Sequence, residues 1–366
     1  MRKMCIFGLF IILCMTMFTS AGCKDSSEKT TESEVNEAGE TPVEVIEFTL
    51  HHQDPPSAMI GVGLETWARL VEEKTEGNVR ITVYPSATLG PGSKGLELVR
   101  DGIADIAWGS IGLYSGRFPL SELLSLPMLG LESGAQSSMI AWNLYEKSPE
   151  MQKEWEDPNV KLINIYCGGY VPIGIDKEVK SVADFKGPKI RTVAGGPADL
   201  LTMMGASPIV APAGEIYQQV ERGVMDGWAI DWQGAKGFRL TEISPYILEF
   251  KTNYEVNTHF IVMNKKSYDK IPDEYKEKFD ALCGEFFAVH MGKAFDSLIE
   301  PTKEEYTGAG NKLIMLPEQE EQKVVEMAIG VQEKYAKQLD GKGLAGTKTL
   351  ETIRGLAKEI TVNSVY

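Results

Sequence analysis

SVADFKGPKIRT (181–192), MMGASPIVAP (203–212) and GEIYQQVERGVMDGWAIDW (214–232) follow one another in the middle of the chain. The first segment ends in a short predicted strand that carries Arg191, just before a Gly-Gly-Pro turn. A guanidinium with apolar neighbours offers a fork of hydrogen-bond donors that fits a carboxylate. The alternative is a surface arginine at a strand end, which is where charged side chains usually lie. We predict that Arg191 anchors a ligand in a cleft.

The motifs of this stretch occur in a characteristic order. They are a D-x-K-G-x-K-[IL]-R segment at 184–191, a G-A-S-P turn at 205–208, an E-x-Y helix at 215–217 and a G-[VA]-x-D-G strand start at 223–227. In this order they resemble the solute-binding proteins of TRAP transporters, the C4-dicarboxylate-binding family, and the resemblance covers about residues 44 to 340. It implies an α/β, two-lobed periplasmic-binding-protein-like fold with hinge strands and a long helix spanning both lobes. It also implies capture of a small organic carboxylate and delivery to membrane permease subunits driven by an ion gradient.

The amino terminus predicts export. MRKMCIFGLFIILCMTMFTSAGC combines a basic start with an apolar run too short for a membrane span, although a retained membrane anchor is the alternative. The small residues before Cys23 resemble a bacterial lipoprotein cleavage box, with Ser20 where leucine is usual. We predict a signal peptide over 1–22, a lipid on Cys23, and a flexible tether over 23–43, which contains too few apolar residues to fold. The protein would then be anchored to the membrane, facing the periplasm or cell exterior.

The net charge excludes some partners. The chain carries 37 basic and 52 acidic residues, a formal charge of −15, and losing Arg2 and Lys3 with the signal peptide makes it −17. Nucleic acid and anionic lipid headgroups both require a basic surface, so we predict no nucleic-acid partner and membrane contact only through the lipid anchor. An anionic ligand remains compatible, because one desolvated arginine sets the local field.

The folded part is large enough for two lobes. About 320 residues follow the tether, which exceeds one usual hydrophobic core. We predict lobe I over 44–167 plus 257–297 and lobe II over 168–256 plus 298–366. Cys167 and Cys283 are the two cysteines of this part, and the sequence leaves open a disulfide or two buried free thiols.

In the first half, a strand, a helix and a second strand (VRITVYP) form a predicted βαβ unit. Ligands bind at the carboxyl ends of such strands, so His52 and Gln53 are cleft candidates. The strand 103–108 is predicted to bring Trp108, Ser110 and Tyr114 to the same cleft, where an aromatic ring would cover an apolar ligand body. Between ligand contact and core packing, we favour core packing for Trp108 and ligand contact for Tyr114.

In the second half, a Gly-Gly turn after the strand 161–167 places Tyr170 where many relatives of the resembled family have arginine or glutamine. Relatives contact the ligand at the position of Ile230. We therefore predict Trp232 as a cleft wall and Asp231 as a hydroxyl acceptor or a metal-facing acid, with structural packing as the alternative for both. The helix that starts at Pro197 would add backbone donors for an anion.

The last third is predicted to be mainly helical. A long helix starting at Asp273 is expected to bury one face, with Pro301 kinking or ending it. A second long amphipathic helix is predicted over 317–339. The predicted buried face of the first consists of Phe279, Leu282, Phe286, His290, Ala294 and Leu298.

No pattern indicates an enzyme or a cofactor. The segment PGSKG lacks the first glycine of an esterase nucleophile turn, and the four histidines have no convincing serine partner. A secreted hydrolase is therefore the less favoured alternative, and a binding lipoprotein of an ATP-driven importer is the closer one, since only the permease would differ. We predict no catalytic residues, no cofactor and no metal, apart from the possible role of Asp231.

Overall fold

The computed structural model describes residues 45–365. The predicted signal peptide (1–22), the lipidated Cys23 and the tether (23–43) lie outside the described residues. Within the described part, no helix has the length and apolar character needed to cross a membrane.

Eleven strands and thirteen α-helices make up the described chain, together with several short 3₁₀ turns. The strands are β1 Ile46–His51, β2 Val79–Tyr84, β3 Ile106–Ser110, β4 Val160–Tyr170, β5 Ile173–Ile175, β6 Lys189–Thr192, β7 Ser207–Val210, β8 Gly227–Ala229, β9 Tyr246–Glu249, β10 Val256–Asn264 and β11 Lys312–Met315. The helices are α1 Met59–Lys74, α2 Gly95–Arg100, α3 Gly134–Lys147, α4 Pro149–Glu154, α5 Gly196–Met204, α6 Ile216–Glu221, α7 Trp232–Gly237, α8 Lys265–Asp269, α9 Asp273–Asp280, α10 Gly284–Ser297, α11 Ile299–Gly308, α12 Glu318–Asp340 and α13 Gly346–Glu359.

The strands form two sheets, one in each lobe. The first sheet has the order β2-β1-β3-β10-β4, and the second has the order β11-β9-β5-β8-β6-β7. Strands β1, β2 and β3 are parallel, as the βαβ pattern predicts, whereas β10 is antiparallel to both β3 and β4. The predicted α/β fold class is confirmed, while the residue boundaries given for the two lobes stay predictions.

Each sheet is covered by helices on both faces. In β10, Phe260 and Val262 pack into one core, whereas Ile261 and Met263 pack into the other. Successive side chains of a strand point to opposite faces, so an uninterrupted apolar strand supplies two cores at once. The second sheet is sandwiched in the same way.

Four connections join the lobes. The first three are β4 into β5, β9 into β10 and α10 into α11. The fourth is α12, which buries Val324 and Ala328 in the second-lobe core and Ala336 and Leu339 in the first-lobe core. The backbone N–H of Val171, in the first connection, donates to the carbonyl of Glu255, in the second, at 2.9 Å. The Glu249 Oε1 atom accepts from Tyr170 Oη at 2.9 Å and lies 2.9 Å from Lys303 Nζ on α11. One carboxylate therefore links residues that flank three of the four connections.

The prediction of one continuous helix from Asp273 is wrong. The chain breaks at Gly284, which has φ +54°, so α9 and α10 are separate helices. The break resets the helical phase, and Phe286 is 43% exposed while Phe287 is buried in its place. A second break at Leu298 starts α11, in whose first turn Pro301 needs no N–H partner. Helix α12 confirms the predicted last long helix.

The carboxy-terminal helix packs on the first lobe. Leu350, Ile353 and Leu356 of α13 are buried in the same core as Leu124 and Leu144.

Both cysteines of the described chain are free. Cys167 is buried beside Thr258, with 3.9 Å between Sγ and Oγ1, and the Cys283 thiol faces the carbonyl of Phe279 at 3.2 Å. The alternative of two free thiols is therefore the one observed.

Gly174 in β5 gives a test of packing in the second lobe. A Cβ at this position would overlap the fully buried Trp228 indole, which is fixed by a 2.7 Å hydrogen bond from Nε1 to Ser244 Oγ. We expect Gly174→Ala to lower the free energy of unfolding by about 1–3 kcal/mol, as overpacking does. Denaturant unfolding measures it, with Gly214→Ala as the control because a Cβ there meets no atom within 4 Å. Equal stability of the two variants would contradict this packing.

Candidate functional site

A cavity of about 410 Å³ opens between the two sheets and is lined by residues of both. Such a volume lies in the range of small-molecule sites. From the first lobe it receives side chains at the ends of β1 and β3, and from the second lobe it receives β6 and the segment after β8. The polar residues of its lining include Gln53, Asp54, Ser110, Arg191, Thr192, Asp231, Gln233, Asn257 and His259.

Arg191 is held rigidly in this cavity wall. It lies on β6, between β8 and β7, and only 7% of its surface is exposed. Its Nε donates to the carbonyl of Ala211 and its Nη1 to the carbonyl of Ala229, each at 3.0 Å. Burial lowers the pKa of Arg191, opposed by the nearby Glu255 and Asp231. An arginine pKa is so high that the guanidinium stays charged.

Asp231, predicted beside the ligand, lines the cavity but is engaged by the protein. It caps the start of α7, accepting from Gly234 N–H through Oδ1 at 2.8 Å. Its Oδ2 accepts from Asn257 Nδ2, also at 2.8 Å. Burial raises the pKa of Asp231, and these hydrogen bonds oppose the shift. Asp231 therefore fixes Asn257, on the strand of the other lobe, in the cavity wall.

Two further acidic residues belong to the site and were not predicted from the sequence: Asp54 lines the cavity of Arg191, and Glu255 interacts electrostatically with the guanidinium. Burial, reinforced by the charge of Asp231, raises the pKa of Asp54 to about 6. Burial raises the pKa of Glu255 to about 8, with Arg191 opposing and Asp231 reinforcing the shift. A protonated carboxyl can donate a hydrogen bond as well as accept one. The site thus holds one fixed positive charge and three acids, and burial raises the pKa of each acid because it disfavours the charged form.

Aromatic rings form the first-lobe wall. Trp108 lines the cavity and also packs in the first-lobe core, and its Nε1 donates to Tyr166 Oη at 2.8 Å. The His259 ring lies 5.2 Å from it, between centroids, and also lines the cavity. Burial lowers the pKa of His259 to about 3, and neither ring nitrogen has a hydrogen-bond partner within residues 45–365. His259 is therefore a neutral cavity residue, which the sequence suggested only as a possible base.

Of the predicted site residues, Arg191, Asp231, Gln53, Ser110 and Trp108 come together in this cavity. The other four have core positions or protein partners and lie outside its lining: His52, Tyr114, Tyr170 and Trp232.

The environments of those four explain their positions. Tyr114 donates to the carbonyl of Gly92 at 3.0 Å and its ring packs 5.3 Å from that of Phe260, between centroids. Tyr170 and Trp232 both donate to Glu249 Oε1, at 2.9 and 3.1 Å. His52 is completely buried, and burial, with the neighbouring His51, lowers its pKa to about 4.

A second cavity, of about 340 Å³, adjoins the first. The two share the lining residues Ser110, Gly112, Val193, Ala194 and Asn257. Glu255 and the first residues of α5 line this second cavity, so the predicted backbone donors of α5 face it instead of the cavity of Arg191.

Asp231 was also a candidate metal ligand. Within the described residues, no group of three or more His, Cys, Asp or Glu side chains is arranged to hold a metal ion.

Comparison with known proteins identifies the family. Residues 50–338 match the model of the bacterial extracellular solute-binding proteins, family 7. The chain belongs to this family. A crystal structure of a TRAP periplasmic solute binding protein from Bordetella bronchiseptica, with bound (R)- and (S)-mandelate, is similar at TM-score 0.78 and 27% identity. The match covers 86% of this chain and 100% of that one.

Two curated relatives extend this result. The monocarboxylate 2-oxoacid-binding periplasmic protein of a Nostoc species is 27% identical over 266 residues, which is 71% of this chain and 71% of that protein. The outer membrane transporter protein TsaT of Comamonas testosteroni is 24% identical over 314 residues, which is 86% of this chain and 91% of that protein. The predicted membership of the TRAP-type solute-binding proteins is confirmed, and family 7 consists of binding proteins.

Proposed function

We propose that this protein captures a small organic carboxylate between its lobes and delivers it to the membrane subunits of a TRAP-type transporter. The observation that carries the proposal is the position of Arg191, a buried guanidinium held by two backbone carbonyls in the wall of a cavity that both lobes line. The mandelate bound to the Bordetella structure and the 2-oxoacid named for the Nostoc relative are both carboxylates.

The hydrogen bonds of Arg191 determine how a carboxylate would bind. Nε donates to Ala211, and Nη1 uses one of its two hydrogens on Ala229. The ligand would therefore meet the second hydrogen of Nη1 and the hydrogens of Nη2. Gln53 and Ser110 of the first lobe and Asn257 of β10 supply neutral hydrogen-bonding groups around it. A ligand that contacts both lobes binds better to the closed protein than to the open one, so binding would favour closure.

A thermal-shift screen over organic acids tests this function. A ligand that binds only the native state at 100 times its dissociation constant stabilises that state by about 2.7 kcal/mol. We expect at least one carboxylic acid to raise the melting temperature, and its uncharged amide analogue at the same concentration to have no effect. A screen in which acids and amides behave alike would contradict the proposal.

We also propose that a lipid on Cys23 holds the exported protein at the membrane. The support is the cleavage-box resemblance and the name of the family as extracellular proteins. We expect Cys23→Ala, expressed in a bacterium that processes lipoproteins, to move the protein from the membrane fraction to the soluble extracytoplasmic fraction. Retention of the variant in the membrane fraction would rule out this anchor.

A further inference from the structure

The second cavity is a continuation of the site that holds Arg191. Its volume of about 340 Å³ is additional space for a ligand, reached past residues that line both cavities. One side of this passage is Ser110 and Gly112, at the end of β3, and the other is Val193 and Ala194, directly after β6. A carboxylate of two to four carbons would leave such a volume largely unused, since sites of this size enclose drug-sized molecules.

The walls of the second cavity are mainly apolar. Leu123 and Leu126 are buried parts of the first-lobe core, and Leu339 reaches the cavity from the end of α12. Apolar walls favour apolar ligand groups, because burying such groups removes their surface from water. Further apolar side chains of the lining are Ile111, Pro119, Val193, Ala194 and Tyr335.

The polar groups of this cavity disfavour a second anionic group. None of its lining residues, all within the described chain, is Lys, Arg or His, whereas Glu122 and Glu255 are both among them. Burial raises the pKa of both glutamates, which is the response of an acid placed where negative charge is poorly solvated. A second carboxylate would therefore be desolvated beside two acids, with no cationic side chain in the cavity lining. The cations nearby, Lys342 and Arg191, already interact with Glu122 and Glu255.

We propose that the second cavity receives the uncharged, mainly apolar body of a monocarboxylic acid whose carboxylate is bound by Arg191. This inference rests on the proposed function and names its ligand class: arylalkanoic acids and acids of similar shape, in preference to short acids and to dicarboxylic acids.

Calorimetric titration of a homologous series tests the inference. The probes are acetate, phenylacetate, 3-phenylpropanoate, 4-phenylbutanoate and, as the dicarboxylate, adipate. We expect affinity to rise about fourfold for each methylene added between phenylacetate and phenylbutanoate, as the burial of CH₂ groups predicts, and adipate to bind more weakly than phenylbutanoate. Affinity that stays level or falls along the series, or tighter binding of adipate, would overturn the inference.

A cavity-filling variant locates the effect. Ser115 is exposed and lines the second cavity alone, so Ser115→Trp narrows it without altering the Arg191 cavity. In this variant we expect the affinity for the phenyl-substituted acids no longer to rise with chain length, while acetate binds as in the wild type. The control is Lys358→Trp, on the exposed face of α13. Equal loss for acetate and phenylbutanoate would contradict the inference.

The outcomes separate the two proposals. If no acid of any length binds, the proposed function fails. If acids bind through Arg191 without any dependence on chain length, the function stands and the role of the second cavity fails.

Discussion

Replacing Arg191 with alanine is expected to weaken binding of the cognate acid by roughly 2 to 5 kcal/mol, or about 30- to 5,000-fold, as for the loss of one partner of a buried charge pair. The reason is that the ligand carboxylate would remain desolvated near Asp231 and Glu255, with no cation to compensate it. Isothermal titration calorimetry with the acid that gives the largest thermal shift measures the change.

Two control variants make this result specific. Arg191→Lys keeps the charge but loses the planar fork, so its affinity should lie between those of the wild type and Arg191→Ala. Arg100→Ala removes another partly buried arginine, whose Nη2 pairs with Asp157 at 2.7 Å away from both cavities, and should leave affinity unchanged. An Arg191→Ala protein that is folded and binds the acid as well as the wild type would remove Arg191 from its proposed role.

Glu255 should make the stability of the unliganded protein depend on pH. Its pKa is raised to about 8 in the folded protein from a usual value of 4.5, so between these values the folded state binds a proton that the unfolded state has lost. Stability from this group is therefore present at low pH and is lost as the pH rises through 8. We expect the free energy of unfolding to fall by about 3 kcal/mol between pH 6 and 9 because of this group alone.

Glu255→Gln isolates that contribution. Other buried acids act in the same direction, since burial raises the pKa of Glu154 to about 7. We therefore compare urea unfolding of the wild type and the variant at pH 6 and pH 9. The loss of stability should be smaller in Glu255→Gln by about 3 kcal/mol, the linkage value for one such group. The same loss in both proteins would show that Glu255 does not titrate in this range.

The fold was largely predictable from local patterns. Alternating or continuous apolar runs identified β1, β2, β4 and β10. The helical pattern after Asp273 failed at Gly284, because its positive φ restarts the helix in a different phase, so that Phe287 and not Phe286 is buried. An apolar residue every three or four positions cannot reveal such a change of phase here. Phe286 and Phe287 are adjacent, so the pattern is satisfied whichever of them is buried.

The site was predictable only in part. Arg191 was found through motifs, and Gln53 and Ser110 through the rule that ligands bind at strand ends. Asp54 and Glu255 were missed because only their burial raises their pKa values and sets them apart from other acids. That burial results from the packing of the folded chain, which a local sequence pattern does not show. His259 was missed for a similar reason: it lies opposite Ser110 on the neighbouring strand, a pairing between residues distant in sequence.

The position of Glu249 has a mechanical consequence. Glu249 ends β9, just before the second connection between the lobes. Its Oε1 atom accepts a hydrogen bond from Tyr170, at the first connection, and pairs with Lys303, just after the third. A bend in any of these three connections would stretch a contact to the others, so the three are expected to flex together. The fourth connection, α12, is one continuous helix buried in both lobe cores, so it would have to move with them during opening and closing. The two faces of the site would then meet in the same register at every cycle.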